Sequence, residues 1–266
     1  MIKVRSPYTP LFFAVTAFVA ILFVATTAIT AETNSTEATA CSESHVTDID
    51  GVTYETISLG GECWMAENLR VTHYRDGSPI AKIEDHWEWW DDTEGSYALY
   101  DHEFPFRYIA EEVASDEEMR EKYGYLYNFY AVDNPSGLCP EGWRVPTDLD
   151  WQQLEVALGM TATEAQSRWY RKGNVGSRLA GHTERWGEDG IKTEHFGDSG
   201  FNVVPAGYRR SYGDYGNIGS NANFWTADEQ DEKNAVSREI SSGNTGIYRV
   251  DNINKNNGHS VRCIQE

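Results

Sequence analysis

The segment Gly137-Leu138-Cys139-Pro140-Glu141-Gly142-Trp143-Arg144-Val145-Pro146-Thr147 constrains this chain more than any other. Proline locks φ and glycine opens positive φ, so two of each in so short a span dictate a fixed turn. Val145 precedes Pro146 and is pushed to extended backbone, which bars a helix before Thr147. Thr147 then caps a helix, and Asp150 three residues on completes a weaker form of the capping box. Trp151, Leu154 and Leu158 recur at i, i+3 and i+7, so the helix has one apolar face, and Gly159 ends it. Trp143 is expected to insert beside that face. A corner of this kind nucleates a core; it names no ligand.

The first ten residues carry Lys3 and Arg5, and residues 11–31 contain no charge. This reads as a signal peptide, with Ala28, Thr30 and Ala31 near a cleavage point. The apolar run also approaches the roughly 20 residues that span a bilayer, so an uncleaved N-terminal anchor is the alternative. Cys41 stands ten residues beyond that run, which argues against a lipoprotein. Either reading places the rest of the chain outside the cytoplasm: secreted, periplasmic or at the cell surface.

The formal net charge is −20, and losing Lys3 and Arg5 makes the remainder more acidic still. Such a surface repels phosphate backbones and anionic lipid heads. Nucleic acid is thereby excluded as a partner, and membrane contact is left only to an uncleaved N-terminal segment. Four cysteines in an exported chain imply two disulfides with three possible pairings. The preferred pairing is Cys41–Cys63, joining the N-terminal arm to the first strands, with Cys139–Cys263 tying the corner to the tail. No Cys-x-x-Cys occurs, so neither a redox motif nor a zinc knuckle is supported. Nine Trp and fifteen Tyr suit an extracellular β-rich domain whose amphipathic rings serve both core and surface.

Residues 32–48 are rich in Ser, Thr, Glu and Ala and read as a flexible acidic spacer, with one domain following over 49–266. Asp50-Gly51 predicts a tight hairpin turn between β-branched segments, and Gly60-Gly61 a second turn leading into a buried segment from Cys63 to Leu69. The stretch 71–101 reads as irregular, and a surface helix is expected over 109–123. Tyr123-Gly124-Tyr125-Leu126-Tyr127-Asn128-Phe129-Tyr130-Ala131-Val132 is a buried aromatic element expected to pack on Trp143. Short strands are expected over 200–209, 223–228, 235–240, 246–250 and 259–264. The fold class is therefore α+β, with short antiparallel strands, one or two helices and long loops.

Seven ordered motifs carry a resemblance. They are Trp64-Met65-Ala66-Glu67-Asn68-Leu69, the 123–132 aromatic element, the 137–147 corner, Trp151 with Leu154, Gly200-Phe201 with Pro205-Ala206-Gly207-Tyr208-Arg209, Phe224-Trp225-Thr226, and Ser260-Val261-Arg262-Cys263. Together they resemble the Fibrobacter succinogenes major paralogous domain, a family of exported bacterial proteins, over about residues 49–265. The resemblance implies a C-type-lectin-like fold, akin also to formylglycine-generating enzymes and diversity-generating tropism determinants, and supports the Cys139–Cys263 pairing. It transfers no catalytic residue, because the family has no established activity. The region 71–122 is longer and more acidic than the family's usual linker. Arg144 stands where many members have His, and its fixed charge rules out proton transfer there near neutral pH.

The candidate ligand platform is Trp87, Trp89 and Trp90 with Tyr97 and Asp91, where rings stack on sugar faces and carboxylates take hydroxyls. Three Trp in four residues cannot all face one core from a strand, so at least one is expected to be exposed. The opposing reading is a loop folded on its own aromatic core. Lectin-type calcium triplets are absent, although Asp214, Asp228 and Asp231 lie on expected loops and offer oxygen ligands. The seven His show no metal-ligand spacing, so no cofactor is expected beyond a calcium ion. The function expected is an exported, non-enzymatic binding or surface-interaction module for a glycan or surface protein. The alternatives are a secreted glycan hydrolase, which needs two carboxylates across a cleft, and a structural component of the cell envelope.

Overall fold

The computed structural model describes residues 1–3, 41–100 and 113–266. Residues 4–40 fall outside the described residues, and with them the leader and most of the spacer; so does the first part of the helix expected over 109–123. Both preferred disulfides form, Cys41–Cys63 and Cys139–Cys263. The folded body already includes Cys41, and the first strand, β1 (His45–Thr47), lies inside the stretch read as spacer. The domain therefore starts earlier than residue 49, because pairing with the next strand and a disulfide order this segment.

The Asp50-Gly51 turn joins β1 to β2 (Thr53–Leu59), and Gly60-Gly61 joins β2 to β3 (Glu62–Met65), both antiparallel as expected. Residues 71–101 are more regular than the sequence reading allows. They contain β4 (Ala81–Lys82), a one-and-a-half-turn helix α1 (His86–Asp91) and β5 (Ser96–Ala98). Next come α2 (Asp116–Tyr123), β6 (Leu126–Tyr127), α3 (Phe129–Val132) and β7 (Trp143–Arg144). The corner then launches α4 (Asp148–Ala157), with the Thr147/Asp150 capping box fully formed. After α5 (Ala162–Ala165), β8 (Trp169–Arg171) and α6 (Val175–Leu179), the hairpin of β9 (Tyr208–Arg209) and β10 (Tyr215–Gly216) follows. The chain ends in β11 (Asn221–Glu229), β12 (Asn234–Ser241), β13 (Ile247–Asn254) and β14 (Ile264–Gln265). Six short α-helices among the described residues replace the one or two expected, since Asp85, Ser115, Asn128 and Thr161 each cap a helix too short to show a period.

Two sheets carry the fold. One has the order β1-β2-β3-β14-β7, so the last strand returns between an early strand and the corner. The other is the meander β11-β12-β13 extended by β8. The Cys139–Cys263 bond fixes the first closure across 124 residues of chain, a loop whose closure is worth about 4–5 kcal/mol in the chain-entropy account.

Trp143 does not join the helix face. In β7 alternate side chains point to opposite sides: Arg144 makes a bidentate pair with Asp150 of α4 (2.6 and 3.0 Å), which turns Trp143 into the cluster holding Tyr125, Tyr127 and Phe129. Trp64 takes the place beside the helix instead, edge-on to Trp151 at 5.4 Å and to Phe201 at 5.5 Å. The expected association of Trp143 with the 123–132 element does hold.

Charge is buried alongside these rings. Glu155 of α4 is wholly inaccessible and accepts from Arg171 (2.7 and 2.9 Å) and from Arg238 Nε (2.6 Å). At the start of the same helix Asp148 takes Arg249 (2.7 Å) and Arg238 (2.8 Å). Burial pushes the Asp148 carboxyl up, but hydrogen bonds from Arg249 and the charge of Arg238 outweigh it and hold it down at about 2. Breaking a buried pair from one side strands the other charge, at about 3–5 kcal/mol. Glu155→Gln should lower stability by that amount in urea unfolding at neutral pH; a loss under about 1 kcal/mol would show that the two arginines find other compensation.

His259 is fully buried and stacked on Trp225 at 4.3 Å, and burial pushes its imidazole down to about 3. Below its ordinary pKa of about 6.5 the unfolded chain takes up a proton that the folded chain refuses, so stability falls as pH drops from about 6.5 towards 3. Urea midpoints measured across that range should decline, and His259→Phe should flatten the decline while keeping the stacked ring. An unchanged slope in that variant would assign the acid sensitivity elsewhere.

Candidate functional site

Helix α1 sorts the tryptophan cluster. Asp85 caps it by accepting from Trp87 N (2.8 Å) and Glu88 N (3.0 Å). Helical spacing then sets Trp87 and Trp90 on one side and Trp89 on another. Trp89 is completely buried, with the Arg209 guanidinium 4.3 Å above its ring. Trp87 remains 78% exposed and Trp90 51% exposed.

The five residues expected to share one platform are thus divided. Trp87, Trp90 and Asp91 face solvent, whereas Trp89 is core. Tyr97 is core too: β5 lies between β4 and β6 and is buried throughout, and its tyrosine ring packs on Tyr125 at 4.5 Å.

Trp90 forms one wall of a groove of about 300 Å³, lined also by Tyr130, Ser211, Lys233, Asn254 and Asn256. Five parts of the fold meet there, and the loop after β13 ties them together. Asn256 Nδ2 donates to the carbonyls of Trp89 (3.3 Å) and Asp92 (2.7 Å), fixing the end of α1. Asn257 Oδ1 accepts from Ser211 N (2.8 Å), which holds the β9–β10 turn. Lys255 N donates to Lys233 O (2.9 Å), binding the β11–β12 turn, and Phe129 N donates to Lys255 O (2.8 Å), binding α3. Gly258 permits the close approach: a Cβ there would meet Trp89 and Arg209 side-chain atoms at 3.0 Å.

Two of the polar liners, Asn254 and Asn256, have one end of the side-chain amide fixed by the protein. Asn254 Oδ1 is used by Asn256 N (2.9 Å), leaving its amide NH₂. Asn256 has its NH₂ engaged, leaving its carbonyl oxygen. Donors and acceptors held in advance lose little entropy on binding, and aromatic faces add dispersion area. The sequence reading found Trp90 and, within the Tyr/Gly-rich stretch 208–215 that offers a second possible surface or an ordinary exposed hairpin, Ser211; it missed Tyr130, Lys233, Asn254 and Asn256 as groove residues.

A second cleft, of about 310 Å³, is walled by residues from three of the motifs, among them Asn68, Tyr123 and Arg262, together with Asn202. Arg262 is fully buried and donates to Asn68 Oδ1 (3.0 Å) and to the carbonyls of Phe201 and Asn202. It bolts the 201–202 turn, where Asn202 has φ 58°, to the segment leading into β14. These motifs build architecture.

Asp214, Asp228 and Asp231 do not converge. Asp214 sits 3.4 Å from His86, Asp228 accepts from Asp148 N, and Asp231 holds the backbone of Lys233 and Asn234. Among the described residues no group of three His, Cys, Asp or Glu is placed to hold a metal ion.

No curated protein and no solved structure matches the chain. The family model for the Fibrobacter succinogenes major domain matches residues 57–265. That span contains both sheets from the end of β2 onward, the corner and the whole Trp90 groove, and the chain belongs to the Fibrobacter succinogenes major domain family.

Proposed function

We propose that this protein is an exported, non-enzymatic, lectin-like module that binds a glycan in the Trp90 groove. The observation that carries the reading is a half-exposed indole set beside two asparagine side chains, each with one end of its amide already committed to the backbone. A sugar ring presents an apolar C–H face and an equatorial fringe of hydroxyls, and this groove offers a partner for each. Two disulfides in the described body fit an oxidising, extracytoplasmic setting. The acidic surface keeps the module off nucleic acid and anionic lipid, leaving for recognition this groove, whose lining includes no acidic side chain.

The test is a glycan array with the secreted chain, followed by titration of the best binders. Trp90→Ala should weaken binding at least about 10-fold, as loss of a central aromatic anchor does, with an unchanged circular dichroism spectrum. Trp87→Ala, at the rim, should weaken it less. Trp89→Ala should instead lower stability by about 3–5 kcal/mol, as deletion of a buried ring does. Equal binding by the wild type and Trp90→Ala, or turnover of any glycan at this groove, would refute the reading.

A further inference from the structure

Lys233 supplies the sole charged side chain among the groove's lining residues. It is exposed, and among the described residues no carboxylate lies within ion-pair distance of its ammonium. Lys82, Lys122, Lys192 and Lys255 each have such a partner: Glu84, Glu118, Asp189 and Glu229 respectively. Lys172 is likewise exposed and without an ion-pair partner among the described residues, so what sets Lys233 apart is its place at the mouth of the groove. The nearest acid in sequence is already engaged. Asp231 accepts from Lys233 N (2.8 Å), Asn234 N (2.9 Å) and Asn234 Nδ2 (3.0 Å), so it fixes the turn that presents the lysine. The Lys255 N–H on the carbonyl of Lys233 holds the same turn from the groove side.

We propose that the groove selects acidic sugars, with Trp90 and Tyr130 against the ring of a uronic acid and Lys233 against its carboxylate. The proposal rests on the glycan reading above and narrows it. A uronic acid places its carboxylate at the edge of the pyranose ring. A platform with a cation at its rim meets both features at once, whereas a neutral hexose leaves the ammonium without a partner. The surrounding negative surface repels polyanions in general, so recognition falls on the local pair.

The probes are methyl galacturonoside, an acidic sugar with a single carboxylate, and its methyl ester, which keeps the same ring and hydroxyls and loses only the charge. Wild-type chain should bind the free acid about three- to five-fold more tightly than the ester, the range of a solvent-exposed charge pair. Lys233→Gln should bind both forms equally, at the affinity of the wild type for the ester, and Lys233→Arg should retain the preference. The acid and lysine changes then fail to add, as a direct pair requires. Equal binding of acid and ester by the wild type would overturn the acidic selectivity and leave the glycan reading standing. Binding of neither uronate form alongside binding of a neutral glycan would do the same. Absence of binding to every glycan would remove both.

Discussion

A carboxylate with no access to water, Glu155, decides how the helical corner meets the meander. It accepts from Arg171 of β8 and Arg238 of β12, so one residue of α4 spans two strands that are not neighbours in the sheet. Asp148, at the other end of α4, repeats the arrangement with Arg238 and Arg249. Charges this deep are tolerated only with full hydrogen bonding, and that demand leaves the helix one position against the sheet. Trp151 and Leu154, on the same helix, then fill the space beside Trp64 and Phe201. The order of elements follows from this: the corner positions α4, α4 positions the meander, and the meander carries the loop at residues 254–257.

That loop is where scaffold becomes site. Its backbone and amides touch α1, α3 and two turns, so the groove walls come from segments far apart in sequence yet share one set of hydrogen bonds. Arg209 adds rigidity from beneath. It lies over both Trp89 and Tyr215 and donates to the carbonyl of Gly213 at 2.9 Å. Trp90 is therefore exposed on a short helix whose buried neighbour is pinned. An exposed indole on a rigid support spends little entropy on binding, which separates it from the scattered apolar side chains any surface carries.

What was legible in the sequence was local. The corner, the capping box, the Asp50-Gly51 and Gly60-Gly61 hairpins and both disulfide pairings are set by neighbours in the chain or by residue types with few options. Trp143 was misplaced because β7 has just two residues, and its alternation depends on Arg144 finding Asp150. Helix α1 was missed because six residues are too few to show a period, and without it the three tryptophans cannot be sorted. Glu155 had a visible signal, a charge four residues after Trp151 and so on the apolar side of the helix. The groove liners had almost none, since Tyr130, Ser211, Lys233 and Asn254 are brought together by tertiary contacts alone. Arg144 proves to serve α4 through its pair with Asp150.

The most direct measurement is an NMR titration of the isotope-labelled chain with the best glycan found for it, following indole and side-chain amide resonances. The account predicts that the Trp90 indole and the Asn254 and Asn256 amides shift together with one dissociation constant, while Trp89 and Asn68 stay still. Shifts confined to the Arg262 cleft, with Trp90 silent at saturation, would contradict it.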